Sequence, residues 1–270
     1  MRNLIMIVAA AALVLGDTGC QKLRSRNEIN VGVSAFKSAQ YPEAVEHFKK
    51  AVELDPGFTT ARLYLATAYM QQYIPGAESP ENDQMAKAAY DQFQKVLDQD
   101  PKNSNAVASI ASIYLNDKKL DDAQQWYGKL AAVKPNDPVA YYSLGWIAWS
   151  KWYPADQKAR VEMGMKLEEP GPLKDKKVRE ELKAKYEPVI NDGLKDLDRA
   201  LEIDPNYVDA MAYENLLFRE RADLADGKPD YEKDVKAADN WMQKTLDTKK
   251  RLDEEKSKKA ATGGITQDAK

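Results

Sequence analysis

The chain holds one cysteine and one histidine in 270 residues. A lone cysteine closes no internal disulfide, and Cys20 and His47 together supply neither an ordinary zinc site nor a Cys/His nucleophile pair. No glycine-rich phosphate loop, no G-x-S-x-G and no H-E-x-x-H occurs. His47 stands between Glu46 and Phe48 in a polar stretch and reads as a surface residue. An excess of one charge is missing too. Forty Lys and Arg against 43 Asp and Glu give a net charge of −3, without the basic stripe that neutralises phosphates, so nucleic acid is excluded as a partner. No catalytic, cofactor-binding or metal-ligating set emerges, and the chain reads as a non-enzyme that needs no cofactor. Long apolar runs are scarce: the one that stands out, Leu4 to Leu15, is too short to span a bilayer comfortably.

That run does have a reading. "MRNLIMIVAAAALVLGDTGCQKL" opens on Arg2, passes through the apolar core and ends in small and polar residues, the pattern of a signal peptide over 1–19. The stretch 20–24 then serves as an anchor linker. Thr18-Gly19-Cys20 resembles the end of a bacterial lipobox, which implies lipidation at Cys20, although Asp17 stands where that motif usually has Leu. A cut after Gly16 by ordinary signal peptidase is the alternative. Gln21, rather than Asp, resembles lipoproteins sorted to the outer membrane. The expectation is an exported protein on the periplasmic side of the outer membrane, held to it through the lipid on Cys20; the alternative is a soluble periplasmic protein. Several acyl chains at about 0.8 kcal/mol per buried CH₂ anchor a protein stably.

What is abundant is Ala, Lys, Glu, Asp and Leu, with 43% hydrophobic and 31% charged residues, a helical composition. The helical text repeats. "AFKSAQYPEAVEHFKKAVELDP" (35–56), "AAYDQFQKVLDQDP" (88–101), "DAQQWYGKLAAVKP" (122–135) and "GLKDLDRALEIDP" (193–205) share a small residue, a large one four positions on, and a closing Pro. The small residues are Ala44, Ala89, Ala123 and Gly193; the prolines are Pro56, Pro101, Pro135 and Pro205. Upstream, Gly32, Ala66, Ala111 and Gly145 mark a second small-residue slot. Gly32 to Ala66 and Ala111 to Gly145 are each 34 residues, and Ala66 to Ala111 is 45, which is 34 plus 11. This pattern resembles the tetratricopeptide repeat (TPR), and the resemblance implies an all-α, right-handed superhelical solenoid of helix–turn–helix repeats over 25–252. The repeat's usual first-helix tryptophan is absent; Glu28, Arg62, Val107 and Tyr141 occupy its slots. Four units share the register, and a degenerate fifth (207–252) caps the array. Insertions fall near 73–84 and 151–186, and the charged, then Gly-rich 253–270 is expected to be disordered.

In TPR proteins the first helix of each unit lines a concave surface that holds a peptide or a partner's helix. By helical spacing that side carries Leu63 and Met70, Leu115, and then Tyr142, Trp146 and Trp149. The segment "YYSLGWIAWSKWYP" (141–154) divides accordingly. Tyr141, Leu144, Gly145, Ala148 and Trp152 are expected to pack on the paired helix, while Tyr142, Trp146 and Trp149 face the groove. The expected function is a protein–protein interaction scaffold in the bacterial cell envelope whose partners are other envelope proteins. The alternative is a ligand-binding module that uses the Tyr142/Trp146/Trp149 stripe for glycan or lipid.

Overall fold

The computed structural model describes residues 2–166 and 169–263, with side chains over 19–166 and 169–259. The described residues form ten helices and no strand: α1 (Arg2–Lys37), α2 (Tyr41–Leu54), α3 (Thr59–Met70), α4 (Pro80–Gln99), α5 (Ser104–Asn116), α6 (Leu120–Val133), α7 (Pro138–Glu162), α8 (Lys176–Ile203), α9 (Val208–Ala222) and α10 (Lys228–Gly263). The chain is all-α, as its composition implies. It divides into two compact units, 1–126 and 127–270.

The repeat read from spacing reappears as repeated hydrogen bonds. At the end of each second helix the residue before Pro closes the last turn: Asp55 N–H donates to the Ala51 carbonyl, Asp100 to Val96, Lys134 to Leu130 and Asp204 to Ala200, at 2.8–3.1 Å. Proline then stops the helix, because it has no N–H to give and crowds the preceding turn. The same four residues accept from Phe58, Asn103, Asp137 and Tyr207 three positions on, which aims the chain into the next first helix. The turn between paired helices is shared as well. Gln40 N–H reaches the Ala35 carbonyl past Ala39 at φ 60°, and Lys119 reaches Tyr114 past Lys118 at φ 57°. Met165 reaches Arg160 past Gly164, at φ 66°. This is the left-handed C-terminal cap by which an orphan carbonyl finds a donor.

The small-residue slots are where helices touch. In the first unit a β-carbon on Gly32 would meet the Phe48 ring at 2.6 Å, and Phe48 is fully buried among Ile29, Ala44, Val45, Ala61 and Leu65. In the second, a β-carbon on Gly193 would meet that of Ala148 at 2.5 Å, and one on Gly145 would strike Leu197. Trp152, Ile190, Leu194, Leu197, Met211 and Leu217 fill the core there. Thus Gly145, Ala148 and Trp152 do face the paired helix, as their spacing predicts.

Three boundaries differ from the expected ones. The loop of the first insertion spans only 71–79, because Ser79 caps α4 and Asn82 turns back to bind the loop backbone at Ile74 and Ala77. The second insertion does not begin as a break at 151. It extends α7 straight through Pro154 to Glu162 and starts α8 at Lys176, leaving a connection at 163–175. The disordered tail expected from 253 does not begin there: α10 runs through Gly263. Its run of Lys, Glu and Ala contains good helix formers and no Gly before 263, and Arg251 pairs with Glu255 one turn on. Residues 264–270 lie outside the described residues. The expected signal segment and linker fall in the span of α1, and no helix among the described residues is long and apolar enough to cross a membrane.

Candidate functional site

The stripe Tyr142, Trp146, Trp149 and Tyr153 advances by four, three and four residues along α7, so it stays on one face. That face meets α9, the first helix of the following unit. Tyr142 packs on Tyr207 (5.0 Å between ring centroids) and edge-on to Tyr213 (5.7 Å). Trp149 lies edge-on to Tyr213 at 5.5 Å and stacks on Tyr153 at 4.7 Å. Trp146 lies beside the Tyr213 hydroxyl. Burial pushes the Tyr142 and Tyr213 phenols up, and Tyr207 up to about 12, with Asp209 adding to each; all three stay neutral. The result is a half-buried ledge of six aromatic rings whose outermost member, Tyr153, is exposed. Edge-to-face rings contribute about 0.5–1.5 kcal/mol per pair beyond their burial, so the ledge is rigid as well as apolar.

The other expected groove residues lie in the first unit. Leu63 and Met70 on α3 and Leu115 on α5 are each half-buried. Near them a cavity of about 530 Å³ opens between α4 and α5, lined by Tyr90, Tyr114, Ile113 and Asp117. Tyr90 and Tyr114 meet edge-on at 5.8 Å, and Asp117 accepts from the Tyr73 hydroxyl at 2.8 Å. His47 is less of a surface residue than its sequence neighbours imply. Its Nδ1 lies 2.7 Å from Glu28 Oε2, and Glu28 also binds Lys50 at 2.5 Å. These two hydrogen bonds hold the Glu28 carboxyl below the ordinary range. Cys20 is exposed on α1.

Two groups of residues escaped the sequence reading. Tyr207 and Tyr213 complete the ledge, yet they sit in the unit whose repeat signal is weakest. Farther along the same α7 face, Asp156 and Arg160 meet Glu220 of α9 and Asp223 at its C-cap in a buried charge cluster. Asp156 and Arg160 extend the stripe by three and four more residues, and that continuation was visible in the spacing.

The tetratricopeptide-repeat sequence family matches residues 83–147. The fold is that of a TPR protein. Solved TPR structures align over most of the chain: MamA at 13% identity and a TM-score of 0.58, covering 86% of this chain and 94% of that one. MamA 41-end from Desulfovibrio magneticus RS-1 aligns at 16% and 0.55, covering 85% and 97%. YrrB, a TPR protein with an unusual peptide-binding site, aligns at 16% and 0.51, covering 83% and 90%. No curated protein sequence matches the chain. In this TPR fold α1, α3, α5, α7 and α9 are the first helices, so the aromatic ledge is built from first helices of two successive repeats.

Proposed function

We propose that this TPR protein is a protein–protein interaction scaffold of the bacterial cell envelope, docking an extended or helical apolar segment of a partner on its first-helix face. The observation that carries the reading is the α7–α9 ledge: aromatic rings fixed by one another, half-buried, and ending in an exposed Tyr153. Rigid aromatic anchors are what binding hot spots are made of. Tyr142, Trp146 and Trp149 are the anchors of the second unit, and Leu63, Met70 and Leu115 are the candidate contact residues of the first. The likeness to YrrB supports peptide as the ligand class. The reading assigns the protein no catalysis. The envelope setting rests on the N-terminal sequence and on Cys20 as the lipid-bearing residue, which would leave the repeats in the periplasm at the outer membrane.

A photo-crosslinking residue at Trp146 in cells with a native envelope tests the site. The expected result is one defined protein crosslinked from Trp146 and not from Lys158, on the exposed side of the same helix. If Trp146 captures no protein while tryptophan emission shifts with glycans or lipids, the scaffold reading is wrong and the aromatic stripe serves a small ligand. Metabolic acyl labelling, with Cys20→Ser as control, tests the anchor; an unlabelled wild-type protein refutes it.

A further inference from the structure

The charged end of the α7 face is not used by the docking function, and its hydrogen bonds do not close as drawn. Arg160 Nε donates to Asp156 Oδ2 at 2.9 Å, Nη2 to Asp223 Oδ2 at 2.6 Å, and Nη1 to the Glu169 carbonyl at 3.0 Å. One carboxyl oxygen from each of Asp156, Glu220 and Asp223 lies within 4.8 Å of the others. Asp156, Arg160 and Glu220 are 2%, 3% and 8% exposed. Three carboxylates against one guanidinium would leave two uncompensated negative charges in the interior, which proteins avoid by binding protons or cations. The guanidinium reaches both aspartates; Glu220 receives none of these donations. Asp156 Oδ1 and Glu220 Oε2 are both buried without a donor.

Two buried carboxyl groups that approach within 4.8 Å, each with an oxygen that receives no hydrogen bond, are what a single proton joins. A neutral Glu220 gives its O–H to Asp156 Oδ1, satisfies both orphaned oxygens and removes one of the two surplus charges. A cation would also balance charge, but Arg160 and the Trp152 indole beside Glu220 already turn their positive edges toward these carboxyls. The same cluster ties down the connection of the second insertion. Arg160 holds the Glu169 carbonyl, Leu173 N–H donates to the Asp223 carbonyl at 3.0 Å, and Gly171 N–H donates to the Tyr231 hydroxyl at 2.8 Å. Leu173 is thereby fully buried.

We propose that Glu220 is held as a neutral acid whose proton is shared with Asp156, and that this shared proton latches residues 169–175 and α9 onto α7, loosening when the proton is lost in alkaline solution. The groups that face it are Asp156 and Arg160 from α7, Asp223 at the C-cap of α9 and, from the connection, the Glu169 carbonyl; Trp152, which packs on Tyr186 of α8, also lies beside it. Burial foremost, with Asp156 and Asp223 adding to it, pushes Glu220 up to about 8, which sets the window in which the latch works.

The test is thermal unfolding of the full chain followed by circular dichroism between pH 6 and 9.5, for the wild type and for Glu220→Gln. Glutamine keeps a donor toward Asp156 and carries no charge at any pH. The wild type is expected to lose about 5 °C or more relative to Glu220→Gln as pH rises from 6 to about 8, and the difference then levels off. Parallel pH curves for the two proteins overturn the proposal. Failure of Glu220→Gln to fold at pH 6 overturns it as well, because a neutral isostere with a donor must be accommodated. If millimolar Ca²⁺ or Mg²⁺ restores the alkaline loss in the wild type alone, the cluster is a cation site and the shared proton is wrong.

Discussion

A methyl group added at Gly145 tests whether the repeat's small-residue slot is a packing requirement. The new β-carbon would sit on Leu197 Cγ, with Cδ2 at 2.6 Å and Cδ1 at 3.1 Å. Only a χ1 change would move Cγ, and Leu197 is fully buried in the packed core, so its neighbours oppose that change. Overpacking of this kind costs about 1–3 kcal/mol, against which alanine returns up to about 1 kcal/mol of helix propensity. Gly145→Ala is therefore expected to destabilise the second unit by about 1–2 kcal/mol in a urea titration followed by circular dichroism. The sign should invert when Leu197 is first cut back to Ala. That change alone costs about 2–5 kcal/mol, but it opens the space the methyl needs, so Gly145→Ala in that background should stabilise by about 1 kcal/mol. The coupling between the two sites would then be about 2–3 kcal/mol. If Gly145→Ala stabilises the otherwise intact protein, as it would on an exposed helix face, or if the two changes simply add, close approach of α7 and α8 is not what the glycine provides.

The other predictions concern charge and backbone. Glu214 is 1% exposed on α9 with Oε1 unpaired, and burial, then Asp198, pushes it up to about 8. A carboxyl raised in the fold costs nothing below its unfolded value of 4.5; stability is lost as pH climbs from there to about 8, then levels off. Glu214→Gln should remove that slope and raise stability at pH 8 by about 2–4 kcal/mol, read by denaturant midpoints at pH 5 and pH 8. Arg160→Ala strands Asp156 and Asp223 in the core and should cost about 3–5 kcal/mol by the same measurement. Ala39→Gly and Lys118→Gly relieve left-handed residues at the two helix-pair turns and should each stabilise by about 0.5–1 kcal/mol, seen as a higher melting temperature.

The fold was legible because repetition averages out local noise. Any one of Pro56, Pro101, Pro135 or Pro205 could end a helix for its own reasons; four, each after a small residue at fixed spacing, mark a single stacked unit. The insertions were located but misdrawn. Pro154 in α7 and Pro188 in α8 look like breaks in a sequence, yet both are carried inside helices that tertiary packing holds on either side. The end of α10 failed for the opposite reason. A stretch of charges with no apolar face looks disordered when judged on burial, while its Lys/Glu/Ala content is enough to carry an existing helix forward.

The aromatic stripe shows where one-dimensional reading ends. Spacing alone separates the face toward the paired helix from the face toward the groove, and Gly145, Ala148 and Trp152 against Tyr142, Trp146 and Trp149 fall on the two sides. Spacing does not show that the groove side of one first helix is also the packing side toward the next. Tyr207 and Tyr213 take up part of Tyr142 and Trp149, and only the remainder is offered outward. In the proposed function, docking and stacking therefore draw on the same rings. Tyr213→Phe keeps the ring contacts and removes only the hydroxyl beside Trp146, so it should leave melting within about 2 °C of wild type while freeing the indole to reorient. If crosslinking from Trp146 is unchanged in Tyr213→Phe, a fixed orientation of that indole is not what the partner reads.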